Sequence, residues 1–132
     1  LRERHYGAFQ GLTYDEAQAR YPEAYARFHA RDAEFAFPGK GESLAGFAAR
    51  ITAALTAIAL RHPAQEVLVV THGGVLDIAH RIATGKPLAA PRDFLIPNAA
   101  LNWLEFDGSN WHLVAWAQQD HLHAARDELS NA

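Results

Sequence analysis

Three stretches of the chain carry a clear hydrophobic pattern. From Ser43 onward, Leu44, Phe47, Ile51, Leu55 and Ile58 recur three or four positions apart, and the pattern stops at His62-Pro63, which predicts a helix with one buried face. Glu66 to Thr71 reads EVLVVT, aliphatic and β-branched without polar alternation, the pattern of a strand covered on both faces in a parallel sheet. Immediately after it come His72, Gly73 and Gly74, then Val75, Ile78 and Ile82 at helical spacing, ending near Gly85. The order is strand, tight turn, helix.

Toward the carboxyl end, LNWLEF and WHLVAW flank Asp107-Gly108-Ser109-Asn110, which predicts an antiparallel hairpin at an edge of the sheet. Nearer the start, Thr13 followed by Glu16 is a capping box, in which each side chain satisfies an amide that the beginning of a helix leaves free. A helix is expected from about Tyr14 toward Asp32, with Pro22 kinking it or splitting it in two. Phe35 to Gly41, with Pro38 and two glycines, reads as a loop, and the polar tail from Gln118 to Ala132 as a frayed end.

These elements describe an α/β domain that is short of strands. A strand buried on both faces needs a neighbour along each edge, and the only other strands predicted pair with each other. A parallel neighbour upstream of Leu1 would resolve the deficit. The chain contains no methionine, so Leu1 is not expected to be a translation start, and both a signal peptide and a further segment before it stay open. Residues 1–132 are expected to form a single, partial domain.

Composition narrows the ligand more than the fold. With 12 Lys and Arg against 15 Asp and Glu, the net charge of -3 gives no general attraction to nucleic acid or anionic membrane, so an anionic ligand must be held by a local cluster. No apolar run approaches the roughly 20 residues of a membrane span. The absence of cysteine rules out a disulfide framework and fits a soluble protein in a reducing, cytoplasmic compartment.

Two clusters carry chemistry. The turn THGGV lies where open α/β sheets hold ligands, and the helix after it points free amides and the positive end of its dipole into the same place, which favours a phosphate or another anion. His72 would donate to a phosphate oxygen there, or merely cap the turn; Gly73 and Gly74 would let a ligand approach the backbone. The second cluster, Leu1 to Glu16, packs Arg2, Glu3, Arg4, His5 and Tyr6 around Gly7 and Gly11 without helical or strand periodicity, as a substrate-facing loop or a solvated one would.

Together the clusters resemble a family. ERHYG with a glycine four positions on, GESL with Arg50 seven residues after Ser43, VVTHGG, and PNAALNWLEFDG occur in the order found in histidine phosphatases, the phosphoglycerate-mutase-like superfamily, over Leu1 to about Trp116. The resemblance implies a three-layer α/β sandwich with a mostly parallel sheet, incomplete at the amino end. It also implies phosphoryl transfer through a phosphohistidine formed on an Arg-His-Gly motif, which this sequence does not contain. On the family pattern His72 matches the phosphate-binding histidine, Glu3 the acid that protonates the leaving oxygen, and Arg4, Tyr6 and Gly73 substrate-binding positions. No metal and no cofactor is required on this scheme.

The resemblance points to a phosphomonoester hydrolase acting on a small phosphorylated metabolite, with a homodimer open. A phosphoglycerate mutase is the nearest alternative, but the span between ERHYG and GESL is short and lacks an Arg-Arg pair. A non-catalytic phosphate-binding module and a histidine-rich metal carrier built on Asp120 to His123 are further alternatives; the chain as printed is expected to turn over little substrate. Glu42 and Arg50 read as supporting residues at a helix start, and Asn98 as a turn residue.

Overall fold

Helices dominate the computed structural model, which describes residues 1–123. Helix α1 (Tyr14–Arg20) opens on Thr13, whose Oγ1 accepts from the Glu16 amide at 3.2 Å while Glu16 Oε2 accepts from the Thr13 amide at 2.8 Å. Pro22 divides rather than kinks the segment: Tyr21 leaves helical geometry at φ -135, ψ 62, and α2 (Pro22–His29) starts afresh with the proline in its first turn. Helix α3 (Leu44–Arg61) is capped by Ser43 Oγ, which accepts from the Gly46 amide at 3.0 Å. Helix α4 (Gly73–Thr84) ends on Gly85, whose left-handed φ of +71 suits a residue without Cβ.

Strands β1 (Leu101–Phe106) and β2 (Trp111–Gln118) pair antiparallel, with register shifts around Trp103. Asp107 pins their turn by accepting from the Ser109 and Asn110 amides at 2.8 and 2.7 Å. The His112 contact and those amides hold its carboxyl down at about 2, so the turn keeps its anchor well into acid.

Two apolar clusters hold these elements together. Leu44, Phe47 and Ile51 of α3 interlock with Val75 and Ile78 of α4, and Leu1 packs against the edge of this group. Burying each such side chain contributes roughly 1.5–3 kcal/mol. The second cluster gathers Phe9, Ala17, Phe35 and Phe37, with Tyr6, Tyr21, Tyr25 and Phe28 around it. Phe37 is its hub, with ring centroids 4.9 Å from Phe9 and 5.4 Å from Phe28. Helix α3 is apolar and long enough, by length and composition, to cross a membrane, but here Leu44, Phe47 and Ile51 face the core and Arg50 is paired with Glu42.

The sheet departs from expectation. Glu66 to Thr71 forms no strand: none of its backbone groups is hydrogen-bonded among the described residues, and Leu68 and Val70 are 83% and 91% exposed. Among the described residues the sheet is the two-stranded hairpin alone, so they form neither the mostly parallel sheet nor an edge for the hairpin to occupy. The physical reason is that a strand exists only through its ladder partners. EVLVVT has the composition of a doubly covered strand, and the described residues supply nothing to cover or pair it. Of the tail, Gln118 completes β2, Asp120–Leu122 form a short 3-10 turn, and residues beyond 123 lie outside the described part.

Candidate active site

The opening segment is clamped before it reaches the site. Arg50 on α3 donates to the Arg2 and Glu3 carbonyls at 3.3 Å and to Glu42 Oε1 at 2.7 Å, while Glu42 Oε2 accepts from the His5 amide at 2.9 Å. The Arg50 hydrogen bond holds the Glu42 carboxyl below the usual carboxylate range, and Glu42 in turn raises Arg50. These two residues support the loop, as their positions in the sequence suggested. Thr71 Oγ1 adds a bond to the Leu1 carbonyl at 2.8 Å, tying the start of the chain to the residue before His72. Gly7, at φ +52, is required where the loop turns, since a Cβ there would fall on the Pro38 carbonyl.

That clamp delivers Glu3 to the amino end of α4. Its Oε2 accepts from the Gly74 amide at 2.8 Å and its Oε1 from the Arg4 amide at 2.8 Å. His72 is the N-cap of the same helix, in extended conformation, and makes no side-chain capping bond. A helix whose own N-cap does not cap it leaves free donors, and a carboxylate from seventy-one residues away fills one of them. Glycine at 74 is necessary for this contact, because a Cβ would collide with the Glu3 carboxylate. A Cβ on Gly73 would meet nothing within 4 Å, and the residue is exposed.

Arg4 and Tyr6 differ from Glu3 in where they point. Arg4 is 8% exposed; its guanidinium lies over the Phe37 ring at 4.5 Å and donates to the Glu42 carbonyl at 3.0 and 3.2 Å. Matched by the resemblance to a substrate-binding position, it spends Nε and Nη2 on carbonyls inside the loop, since buried donors need acceptors. Burial also pulls its pKa down, against the opposing pull of Tyr6 and Glu42. Tyr6 is half-buried between Phe28 and Phe37, and its hydroxyl is pushed up first by burial and then by the charge of Glu3.

Tyr6 also lines a cavity of about 640 Å³ with Phe9, Leu12, Tyr14 and Phe28. Neither Glu3 nor His72 lines it; their end of α4 is an open face on which His72 is exposed. The described residues contain no cluster of three or more His, Asp or Glu side chains placed to hold a metal ion. In the Asp120 to His123 segment, His121 Nε2 meets the Ala99 carbonyl at 2.8 Å and His123 stands exposed 3.5 Å from Asp120.

Around this geometry the chain matches known proteins. A sequence profile described as the histidine phosphatase superfamily (branch 1) matches residues 1–119. The chain belongs to that superfamily. Among its relatives, phosphoglycerate mutase-like protein 4 of Arabidopsis thaliana is 38% identical over 92% of this chain and 52% of its own length. The metal-independent phosphoserine phosphatase of the same plant is 36% identical over 92% of this chain and 50% of its own length. The chain thus spans about half the length of these curated relatives. The solved structure of Bacillus stearothermophilus YhfR superposes with a TM-score of 0.80 at 30% identity, over 92% of this chain and 60% of that one. This histidine phosphatase chain therefore shares its arrangement of helices and hairpin with a solved relative that is longer than it.

Sequence reasoning missed the acid that α4 buries. Asp77 is 3% exposed and is met by Arg31, Arg81 and Arg92 at 2.8, 3.0 and 3.0 Å. Burial alone would raise its carboxyl, but the Arg81 hydrogen bond, with Arg31 and Arg92, outweighs it and holds the group below the usual range. The four-residue spacing of Asp77 and Arg81 on one helix face was the available signal.

Proposed function

We propose that the intact protein is a phosphomonoester hydrolase in which His72 and the amides at the start of α4 bind the phosphate and Glu3 is the proton donor. The observation that carries this reading is the bond from the Gly74 amide to Glu3, which brings an acid and a histidine-bearing helix start to one place. The site also holds an anion already: a carboxylate sits where a phosphate oxygen would be welcome. An arriving phosphate takes over those amides, with the Glu3 carboxyl beside it as the general acid.

On this reading the phosphoryl group passes from the ester oxygen to the imidazole nitrogen of a histidine outside these 132 residues. Glu3 gives its proton to the departing alkoxide. Water then breaks the phosphorus–nitrogen bond and returns a proton to Glu3, so the cycle closes with alcohol and phosphate as products. Preorganised donors at His72 and the helix amides stabilise the charge spread over the equatorial oxygens. The segment carrying that histidine also supplies the parallel strands that pair and cover Glu66 to Thr71, completing the sandwich. The printed chain alone turns over little substrate, and a cytoplasmic setting is part of the proposal.

The name of one relative as a metal-independent phosphatase supports this reading over metal-assisted hydrolysis, and the absent Arg-Arg pair supports it over a mutase. The intact protein is expected to release inorganic phosphate from a phosphomonoester in the presence of a chelator. Interconversion of phosphoglycerate isomers without phosphate release would instead make it a mutase, and neither activity would leave the non-catalytic module.

A further inference from the structure

Away from the site, α4 carries a histidine that the proposed reaction does not use. The His80 ring lies flat on Phe94, with centroids 3.6 Å and planes 15° apart, and meets Trp116 of β2 edge to face at 4.8 Å and 72°. Phe94 and Trp116 are themselves edge to face at 6.0 Å, so the three rings close on one another. Trp116 Nε1 donates to the Leu95 carbonyl at 2.7 Å, which fixes the indole to the segment that carries Phe94. Helix α4, the segment after it and the hairpin thus meet at one imidazole. Nearer its turn, the hairpin has a separate attachment, Trp111 Nε1 donating to Thr56 Oγ1 of α3 at 3.3 Å.

This stack suits a neutral ring and not a charged one. His80 Nδ1 is buried and has no hydrogen-bond partner among the described residues. In the neutral ring that nitrogen can be a bare acceptor, whereas in the imidazolium both nitrogens carry a proton, so Nδ1 becomes a buried donor facing no acceptor. The charged groups around it do not offset this. Asp77 is taken up by Arg31, Arg81 and Arg92, and Asp93 by Lys86 at 2.8 Å. Phe94 already has the Arg81 guanidinium over its ring at 5.7 Å, and β2 contributes only His112, which is spent on Asp107 at the turn. Burial accordingly holds the His80 pKa below the ordinary 6.5, with Asp93 opposing it.

We propose that His80 is a pH-sensitive latch: while its imidazole is neutral it fastens the Trp116 end of the hairpin to α4, and on protonation that end is released while Trp111 keeps the turn end attached. The inference does not depend on the phosphatase reading. Because the folded value is the lower one, the stacking contributes in full above the unfolded 6.5 and is lost as pH falls through the folded value. The device answers to acidification below neutrality, where histidine is the one side chain that ordinarily changes charge.

In the intact protein, an NMR titration from about pH 8 to about pH 5 can follow the His80 ring, the Trp116 indole N–H and the Ile51 amide in the α3 core. The ring and the indole should move together at one midpoint below 6.5, with the indole proton exchanging faster on the acid side and Ile51 unmoved. His80→Phe, which keeps a stacked ring without a titratable nitrogen, should hold the indole signal constant over the whole range. His80→Gln, which removes the ring, should leave the indole proton in fast exchange at every pH. If neither variant folds, the wild-type titration alone decides. An indole signal that stays put over the range, or a His80 midpoint at or above 6.5, overturns the latch. So does an indole step that persists in His80→Phe, as titration of His121 at the Ala99 carbonyl would give, or one shared with Ile51, which would be unfolding of the domain.

Discussion

Glu3→Gln in the intact protein is expected to lower kcat on an alkyl phosphomonoester by roughly 10²–10⁴-fold, the usual contribution of a positioned general acid. The amide side chain keeps an oxygen that can accept from Gly74, so the loop stays anchored while the transferable proton is lost. The deficit should shrink for an aryl phosphate with a good leaving group, whose departure needs no proton. His72→Ala should lower turnover with both classes alike, because phosphate binding and charge stabilisation serve every ester. Phosphate release measured across a leaving-group series separates the two roles. Equal losses for all leaving groups in Glu3→Gln would remove it as the acid, and wild-type rates in both variants would remove the site.

Asp77→Ala should destabilise the protein by about 3–5 kcal/mol, the cost of deleting one member of a buried ion cluster. Arg81, buried alongside it, would be left charged with carbonyls as its only partners. The link from the end of α2 to α4 through Arg31 would be cut at the same time. Chemical denaturation measures this directly, and a loss under about 1 kcal/mol would show that the cluster is a solvated surface feature. The carboxyl is depressed in the folded state, so its contribution is present above the unfolded value of 3.8 and is lost as pH falls through the lower folded value.

Much of the local structure was legible because it is decided locally. Thr13 with Glu16, Pro22 inside a helical stretch, and four turn residues between alternating strands each act within a few positions, and each appears where the sequence placed it. EVLVVT was legible as chemistry and not as structure. Its residues state what must surround them, but a ladder is a property of two segments, and no described segment pairs with this one. The convergence of Glu3 with the start of α4 came only through the family resemblance, since no local rule links positions seventy-one residues apart.

Arg4 and the Asp77 cluster show the opposite limit. In the motif ERHYG, Arg4 has the same standing as its neighbours, and only packing against Phe37 reveals that its charge is turned inward. Arg31, Asp77 and Arg92 come from three separate segments, so their meeting depends on how α2 and the loop after α4 settle on α4. Tertiary packing, rather than periodicity, chose those partners.

Titration with inorganic phosphate, followed through the backbone amides and the His72 ring by NMR, tests most directly whether α4 presents an anion site beside Glu3. Saturable shifts should appear together at Gly73, Gly74 and His72, and phosphate should bind more tightly to Glu3→Gln, which no longer places a negative charge on the same amides. Phosphate that leaves these three signals unmoved, or binds equally well with and without the Glu3 carboxylate, would contradict the assignment.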